Sequence, residues 1–432
     1  MRVSKSLVFA LLIGLVSMAL LAGGQEETAE SSTDSGKKWD GESITVHFMD
    51  ASYGDFAEEI AERFEEEYGG NVEVVTAPFS ALHERYGLAL RTNDSTYDVF
   101  SVASQWDGEF ARWMTDLEPF IEDSPDFDSD DILDKAWVQS GKFGGKTMGI
   151  PHAYTPRLIS YRTDLVDGVP ETWDEFFEVA ESVHDPENGF YAFATPGNKI
   201  QLAAIFNVSL WSMDGRWADE DWNITIDSPE AREALDIAKR VLELSDPGAL
   251  SWGLPEADAA FLDGNAAFNF AWPTLGVTVD GDNPENSEIV GDWALDLYPE
   301  EDTATTVLSA WDIGIPRGSE NKEMAWDFIQ MYTSREAQME AFEEYTILAP
   351  RKSFWNDPAL QNSPLAPHAD ATAIFWWRIP AGEQAQTIIR DAVHNYASGQ
   401  WDRERAVSYL ESGITDALEQ NPPPEGVSNT GR

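Results

Sequence analysis

Cysteine is absent from this 432-residue chain. Disulfides, thioether lipidation and thiolate zinc sites are therefore excluded, and an oxidising compartment would leave no covalent trace. Histidine is scarce: the six residues, at 47, 83, 152, 184, 368 and 394, are dispersed and form no HExxH pair. Zinc chemistry is disfavoured on that ground. Neither GxSxG nor GxxxxGKS occurs, so serine-hydrolase and nucleotide-binding readings lose support. No metal or cofactor is expected. Basic residues are few, with 28 Lys and Arg against 78 Asp and Glu, a net charge of −50. No basic patch is available to neutralise phosphates, so nucleic acid is not an expected partner. Long apolar runs are missing as well, apart from one near the N-terminus.

That run extends from Leu7 to Leu21 behind Arg2 and Lys5, and Ala22-Gly23-Gly24 follows it. Basic flank, apolar stretch and small residues together predict a secretory signal peptide over 1–24, with the mature chain starting at Gln25. The run is short for a membrane span, although an uncleaved anchor is the alternative. Leu20-Leu21-Ala22-Gly23 looks like a lipoprotein box, but Gly24 stands where the cysteine must be. An exported, unlipidated protein, periplasmic or extracellular, is expected. Residues 25–40 are polar and read as a flexible linker; the Pro- and Gly-rich 421–432 reads as a frayed tail.

What is present is an apolar fraction of 42%, ample for real cores. The length suggests two or three domains. Self-repulsion at this charge is relieved by salt, which predicts acidic residues spread over the surface and a saline habitat. A binder of cations would instead concentrate its acids in one place.

Ser43 to Met49 alternates apolar and polar residues, as a strand does. A helix from Asp55 to Tyr68 follows, with Phe56, Ile60 and Phe64 on one face and Gly69-Gly70 to stop it. A strand (Asn71 to Ala77), a helix (about Ser80 to Arg91) and a strand (Tyr97 to Val102) complete a β-α-β-α-β order. That order predicts an α/β lobe with a parallel sheet, and ligands sit beyond the carboxyl ends of such strands. Asp50 to Tyr53 and Ala103 to Asp107 are thereby placed at a cleft. Later, Trp311 to Pro316 reads as a strand, Arg317 to Ser319 as a turn, and Asn321 onward as a helix carrying Met324, Ala325, Phe328 and Tyr332. Thr333 with Glu336 is a candidate capping box for the next helix. Helices from Gln384 to Ala397 and from Arg403 to Leu418 close the chain.

Several of these segments, in this order, resemble family 1 extracellular solute-binding proteins, the sugar-capturing subunits of ABC importers. They are Tyr97-Asp98-Val99 with Trp106; Gly145-Lys146 through Pro151 and Tyr161-Arg162-Thr163-Asp164; Pro170-Glu171-Thr172-Trp173-Asp174-Glu175; Phe261-Leu262-Asp263-Gly264-Asn265-Ala266-Ala267; and Asn321 to Gln338. The resemblance covers about 43–418. It implies a two-lobe α/β Venus-flytrap fold with a hinge and a central ligand cleft. The first lobe would hold 41–151 and 308–347, the second 152–307 and 348–420. It also implies a binder rather than an enzyme, monomeric, handing a sugar to ABC transporter permease subunits in the membrane.

A sugar needs aromatic plates for its C–H faces and fixed polar groups for its hydroxyls. Position at strand ends or in crossovers selects Trp272, Trp311, Trp106, Tyr154 and Tyr53 as plates. For each, packing in a core is the competing reading. Asp50, Gln105, Asp107, Asp214 and Arg351 fall in predicted cleft loops, with Asn198 a weaker candidate; a solvated surface position competes there. Trp376 or Trp377, in a dense aromatic run, would substitute for the aromatic cluster that maltose-binding relatives carry early in the following helix. Here that helix has Gln384, Gln386 and Thr387, which argues against maltodextrin. Two rivals stand beside the sugar reading. One is a binder of another solute such as a polyamine. The other is a secreted glycosidase with paired carboxylates about 5–10 Å apart, for which no motif is visible.

Overall fold

The computed structural model describes residues 36–270, 272, 276–301, 306–361, 363–365, 373–374, 376–425 and 429. The expected signal peptide and most of the expected linker lie outside them. Among the described residues no helix is long and apolar enough to cross a membrane.

The chain opens with β1 (Ser43–Met49), α1 (Ser52–Tyr68), β2 (Asn71–Ala77), α2 (Phe79–Thr92) and β3 (Val99–Ala103). Both β2 and β3 run parallel to β1. Ile44, Val46 and Phe48 alternate inward from β1 and meet Phe56, Ile60 and Phe64 of α1 in one core. Each such fully buried side chain contributes roughly 1.5–3 kcal/mol. Gly69 ends α1 at a positive φ of 77° that a side chain would oppose.

Next come β4 (Ile150–Pro156), β5 (Ile159–Arg162), α3 (Trp173–Val183), β6 (Tyr191–Ala194), α4 (Lys199–Ser212), α5 (Pro229–Glu243), α6 (Leu254–Leu262), β7 (Ala266–Asn269) and β8 (Trp293–Asp296). The second sheet has the order β8-β5-β7-β6 and mixes parallel and antiparallel pairs. The chain then returns along β9 (Thr306–Gly314) into α7 (Lys322–Tyr332) and α8 (Arg335–Tyr345). It crosses once more through β10 (Ala373–Ile374) to α9 (Gly382–Ala397) and α10 (Arg403–Gln420).

β9 knits the molecule together. It lies antiparallel to β3 through Trp311 to Gly314 and antiparallel to β4 through Leu308 to Ile313, with a bulge between Trp311 and Asp312. Its first residues, Thr306 and Val307, pair in parallel with β10.

Two large cores define two lobes. The first ends its opening stretch at Leu158 and the second begins at Ile159; on the return, Val307 belongs to the second and Leu308 to the first. Two stretches differ from the expected division. Residues 152–158 stay with the first lobe, because β4 is hydrogen-bonded along β9 in the first sheet. Leu348, Ala349, Phe354, Trp355, Leu360 and Leu365 also pack in the first core. They are held there by the Tyr154 amide donating to the Leu348 carbonyl at 2.9 Å and by a bridge between Ile132 and Arg351. The cap of α8 differs too. Ser334, not Thr333, accepts from the Ala337 amide at 3.2 Å. Thr333 instead donates back to the Ile329 carbonyl at 2.7 Å.

Candidate functional site

A cavity of about 580 Å³ opens between the lobes, inside the roughly 300–1,000 Å³ range of small-molecule sites. Strand alternation builds its floor. Successive side chains of a strand point to opposite faces, so Ser309 and Trp311 of β9 line the cavity together, as do Thr155 and Arg157 at the end of β4. The carboxyl end of the parallel sheet supplies Met49, Phe79, Ser80 and Gln105, with Tyr53 from the first turn of α1. The second lobe contributes Asn198, Gln201, Trp272, Trp376, Gln386 and Arg390.

Trp311 is held on one edge by a knot of rings. Tyr53 lies 5.3 Å from it, Phe79 5.9 Å and Trp106 6.1 Å. Its indole N–H donates to Ser309 Oγ at 3.0 Å. Burial pushes the Tyr53 phenol up, against the pull of its hydrogen bond with Thr155. Trp272 stands over the Arg157 guanidinium at 5.3 Å, a cation–π arrangement. Arg157 is 0% exposed. Its Nε donates to the Tyr298 hydroxyl and one terminal nitrogen to Gln201 Oε1, both at 2.8 Å; the other donates to the Phe270 carbonyl. On α9, Gln386 and Arg390 are four residues apart, one helical turn, and so share a face. The Arg390 guanidinium donates to Glu383 at 2.5 Å.

Of the residues expected from sequence, Trp272, Trp311, Tyr53 and Gln105 line the cavity, as does the weaker candidate Asn198. Asn198 also caps α4, accepting from the Gln201 amide at 3.1 Å. The others lie elsewhere. Trp106 is 1% exposed and sits one layer behind the wall. It stacks on Phe79 at 5.3 Å, and its indole N–H reaches across to Glu383 at 3.0 Å. Tyr154 points to the face of β4 opposite Thr155, beneath Lys135 at 5.3 Å. Asp50 and Asp214 are exposed. Asp214 takes a left-handed turn at φ 59° and pairs with Arg216 at 2.7 Å. Arg351 is buried inside the first lobe, bonded to the Thr333 carbonyl, to Gln338 at 2.8 Å and to Asp131 at 3.3 Å. Trp377 packs between Trp217 at 5.0 Å and Trp222 at 5.2 Å, whereas its neighbour Trp376 lines the cavity.

Asp107 is buried against Asp312 and Arg378, with the Arg378 guanidinium 2.6 Å from its carboxylate. Burial raises Asp107 to about 6, opposed by Arg378, and raises Asp312 well above the carboxylate range. This group locks the first lobe to the segment that enters α9. Gly108 lets the two backbones touch there: a Cβ on it would meet the Arg378 carbonyl at 2.1 Å.

Sequence reasoning missed Phe79 and Ser80, although the strand-end rule that selected residues after β1 and β3 applies equally after β2. Arg157 gave no signal, since nothing distinguishes a charged residue in an extended run until its neighbours are known.

Residues 50–339 match the bacterial extracellular solute-binding protein family. The chain belongs to that family. Among curated proteins it is 25% identical over 287 residues to a probable amino-acid ABC transporter periplasmic-binding protein of Sinorhizobium fredii, covering 64% of this chain and 65% of that one. It is 22% identical over 338 residues to an erythritol/L-threitol-binding protein of Mycolicibacterium smegmatis, covering 71% and 70%. Among solved structures, a ribitol complex of a solute-binding protein from Agrobacterium radiobacter superposes with a TM-score of 0.79 at 22% identity, over 89% of this chain and all of that one. A maltose-bound protein of T. maritima superposes at 0.80 and 24% identity, over 87% of this chain. The fold is thus the two-lobe periplasmic-binding-protein fold, and the family binds solutes without transforming them.

Proposed function

We propose that this protein captures a carbohydrate, a sugar or polyol, in the interlobe cavity, closes on it by hinge motion, and delivers it to the permease of an ABC importer outside the cytoplasmic membrane. The observation that carries this reading is the make-up of the wall. Trp272, Trp311 and Trp376 offer flat apolar faces, while Gln105, Asn198, Gln201, Ser80 and Ser309 offer amide and hydroxyl groups. Rings for C–H faces beside neutral hydrogen-bonding groups for hydroxyls suit a carbohydrate. The relatives described as binding ribitol and erythritol or threitol support the same class. Hinge closure around ligand is the general motion of such two-lobe binders.

Polyamines and amino acids fit less well. An ammonium group wants carboxylate partners, and none of the described lining residues is Asp or Glu. A thermal-shift screen of sugars, polyols, polyamines and amino acids tests the reading. A ligand far above its Kd raises the melting temperature because it binds only the folded form. Carbohydrates should shift it; a shift from polyamines or amino acids alone defeats the proposal.

A further inference from the structure

The charge of the cavity wall runs against the charge of the chain. Asp and Glu outnumber Lys and Arg by 78 to 28 overall, yet the described lining residues include Arg157 and Arg390 and no carboxylate. Arg390 is paired with a carboxylate, Glu383, through one terminal nitrogen, which leaves the other to donate. Arg157 is not: its partners are a phenol, an amide and a backbone carbonyl, and no carboxylate among the described residues pairs with it. A guanidinium carries five N–H groups, and these three bonds leave two without a partner among the described residues. A buried charge without a counter-ion is costly, so the site is poised to receive a negative group.

The other polar groups lean the same way. Gln386 is 2% exposed, lines the cavity, and its amide nitrogen has no hydrogen-bond partner among the described residues. Gln201 spends its amide oxygen on Arg157, which leaves its NH2 to donate. The second-lobe wall is therefore rich in unspent donors. An ionised carboxylate accepts only, on two oxygens, and forms its strongest bonds with such charged donors.

We propose that the ligand is an acidic carbohydrate, a sugar acid such as a uronate or aldonate, whose carboxylate is taken by Arg157, Gln386 and Arg390 while its apolar face rests on the indoles. This rests on the carbohydrate reading above and narrows it. A ligand that also carried an ammonium, such as an amino acid, would gain on one side and lose on the other.

The test is calorimetric titration of the full chain with matched pairs. The pairs are D-galacturonate and D-galactose, D-glucuronate and D-glucose, D-gluconate and sorbitol, and digalacturonate and α-1,4-galactobiose. At least one acid should bind about tenfold or more tighter than its neutral partner, about 1.4 kcal/mol. Arg390→Gln should weaken the acid about tenfold and a neutral sugar by much less. Arg157→Gln should do the same, with Arg157→Lys restoring part of the affinity. Circular dichroism screens both Arg157 variants for folding, and Arg390→Gln decides the matter if they do not fold. If neutral members bind as well as their acids, or no acid binds while a neutral sugar does, this inference falls and the carbohydrate reading stands. If only polyamines or amino acids bind, both fall.

Discussion

The two walls of the cavity are built from different chemistry. The first lobe offers Tyr53, Phe79, Trp311 and Gln105 from a parallel sheet whose strand ends converge there, and among the described lining residues it carries charge at Arg157 alone, where β4 runs out into the crossover. The second lobe offers Arg390, most of the amides and two further indoles, Trp272 and Trp376, and it holds the Arg157 guanidinium through Gln201 and the Phe270 carbonyl. One wall is aromatic surface backed by a rigid core; the other sets its indoles beside amides and guanidinium groups. A two-lobe trap needs both on one ligand, and the proposed closure would bring them together.

The largest expected effect breaks the apolar wall. Trp311 is 3% exposed and shared between cavity and core. Trp311→Ala should cost about 3–5 kcal/mol of stability, as large-to-small core changes do, on top of any loss of binding; urea unfolding measures the first and calorimetry the second. Trp311→Phe should recover most of the stability.

The next effect separates the lobes by pH. His47 and His152 sit in the first core, where burial lowers them to about 4 and about 3. Among the described residues neither ring nitrogen of His47 has a partner, and the His152 ring bonds Ser101 at 2.9 Å. Their folded pKa values lie below the unfolded one, so their contribution is present above about 6.5 and lost as pH falls towards 4. In the second lobe the opposite sign holds for Asp258, raised by burial to about 7 while accepting from Asn269 at 2.8 Å. Its contribution is present below about 4 and lost as pH rises through 7. Asp258→Asn should therefore raise the melting temperature relative to wild type at pH 8 and make little difference at pH 4. The same gain at both pH values would contradict the assignment.

Trp272→Ala sharpens the comparison from the other wall. Trp272 is half-buried and packs at the margin of the second core. Its loss should weaken ligand binding about 10–100-fold, about 1.4–2.8 kcal/mol, with a smaller change in stability than Trp311→Ala. The smallest effect belongs to Asn198. Asn198→Ala removes a helix cap and should cost about 1 kcal/mol, read by thermal melting.

How far the sequence reaches follows from what each feature depends on. Local periodicity and stop signals place β1 and β2 to the residue, and place α1, α2 and α9 within a few residues of their ends. These elements are amphipathic, and their apolar spacing reports a neighbour's presence without naming it. The crossover is less legible. Whether β4 belongs to one lobe or the other depends on its hydrogen bonds to β9, more than 150 residues away in the chain, and no local pattern encodes that. The site divides along the same line. Trp272, Trp311, Tyr53 and Gln105 lie at strand ends or in crossovers and were reachable by that rule. Trp106 obeys the rule and still fails, because its indole turns inward to stack on Phe79. Asp107 and Arg351 are charged residues in loops that fold into buried networks, which side-chain type alone cannot distinguish from a cleft. Arg157, the residue on which the electrostatic asymmetry turns, became visible only once its partners were seen to be neutral.

The central claim is that one carbohydrate is gripped between the two walls, with Trp272 of the second lobe as one of its plates. The most direct measurement is calorimetric titration of wild type and Trp272→Ala with the carbohydrate that gives the largest thermal shift. One ligand per chain, with affinity reduced about tenfold or more in the variant, is the predicted result. Equal affinity in the two proteins, or binding confined to polyamines and amino acids, would contradict it.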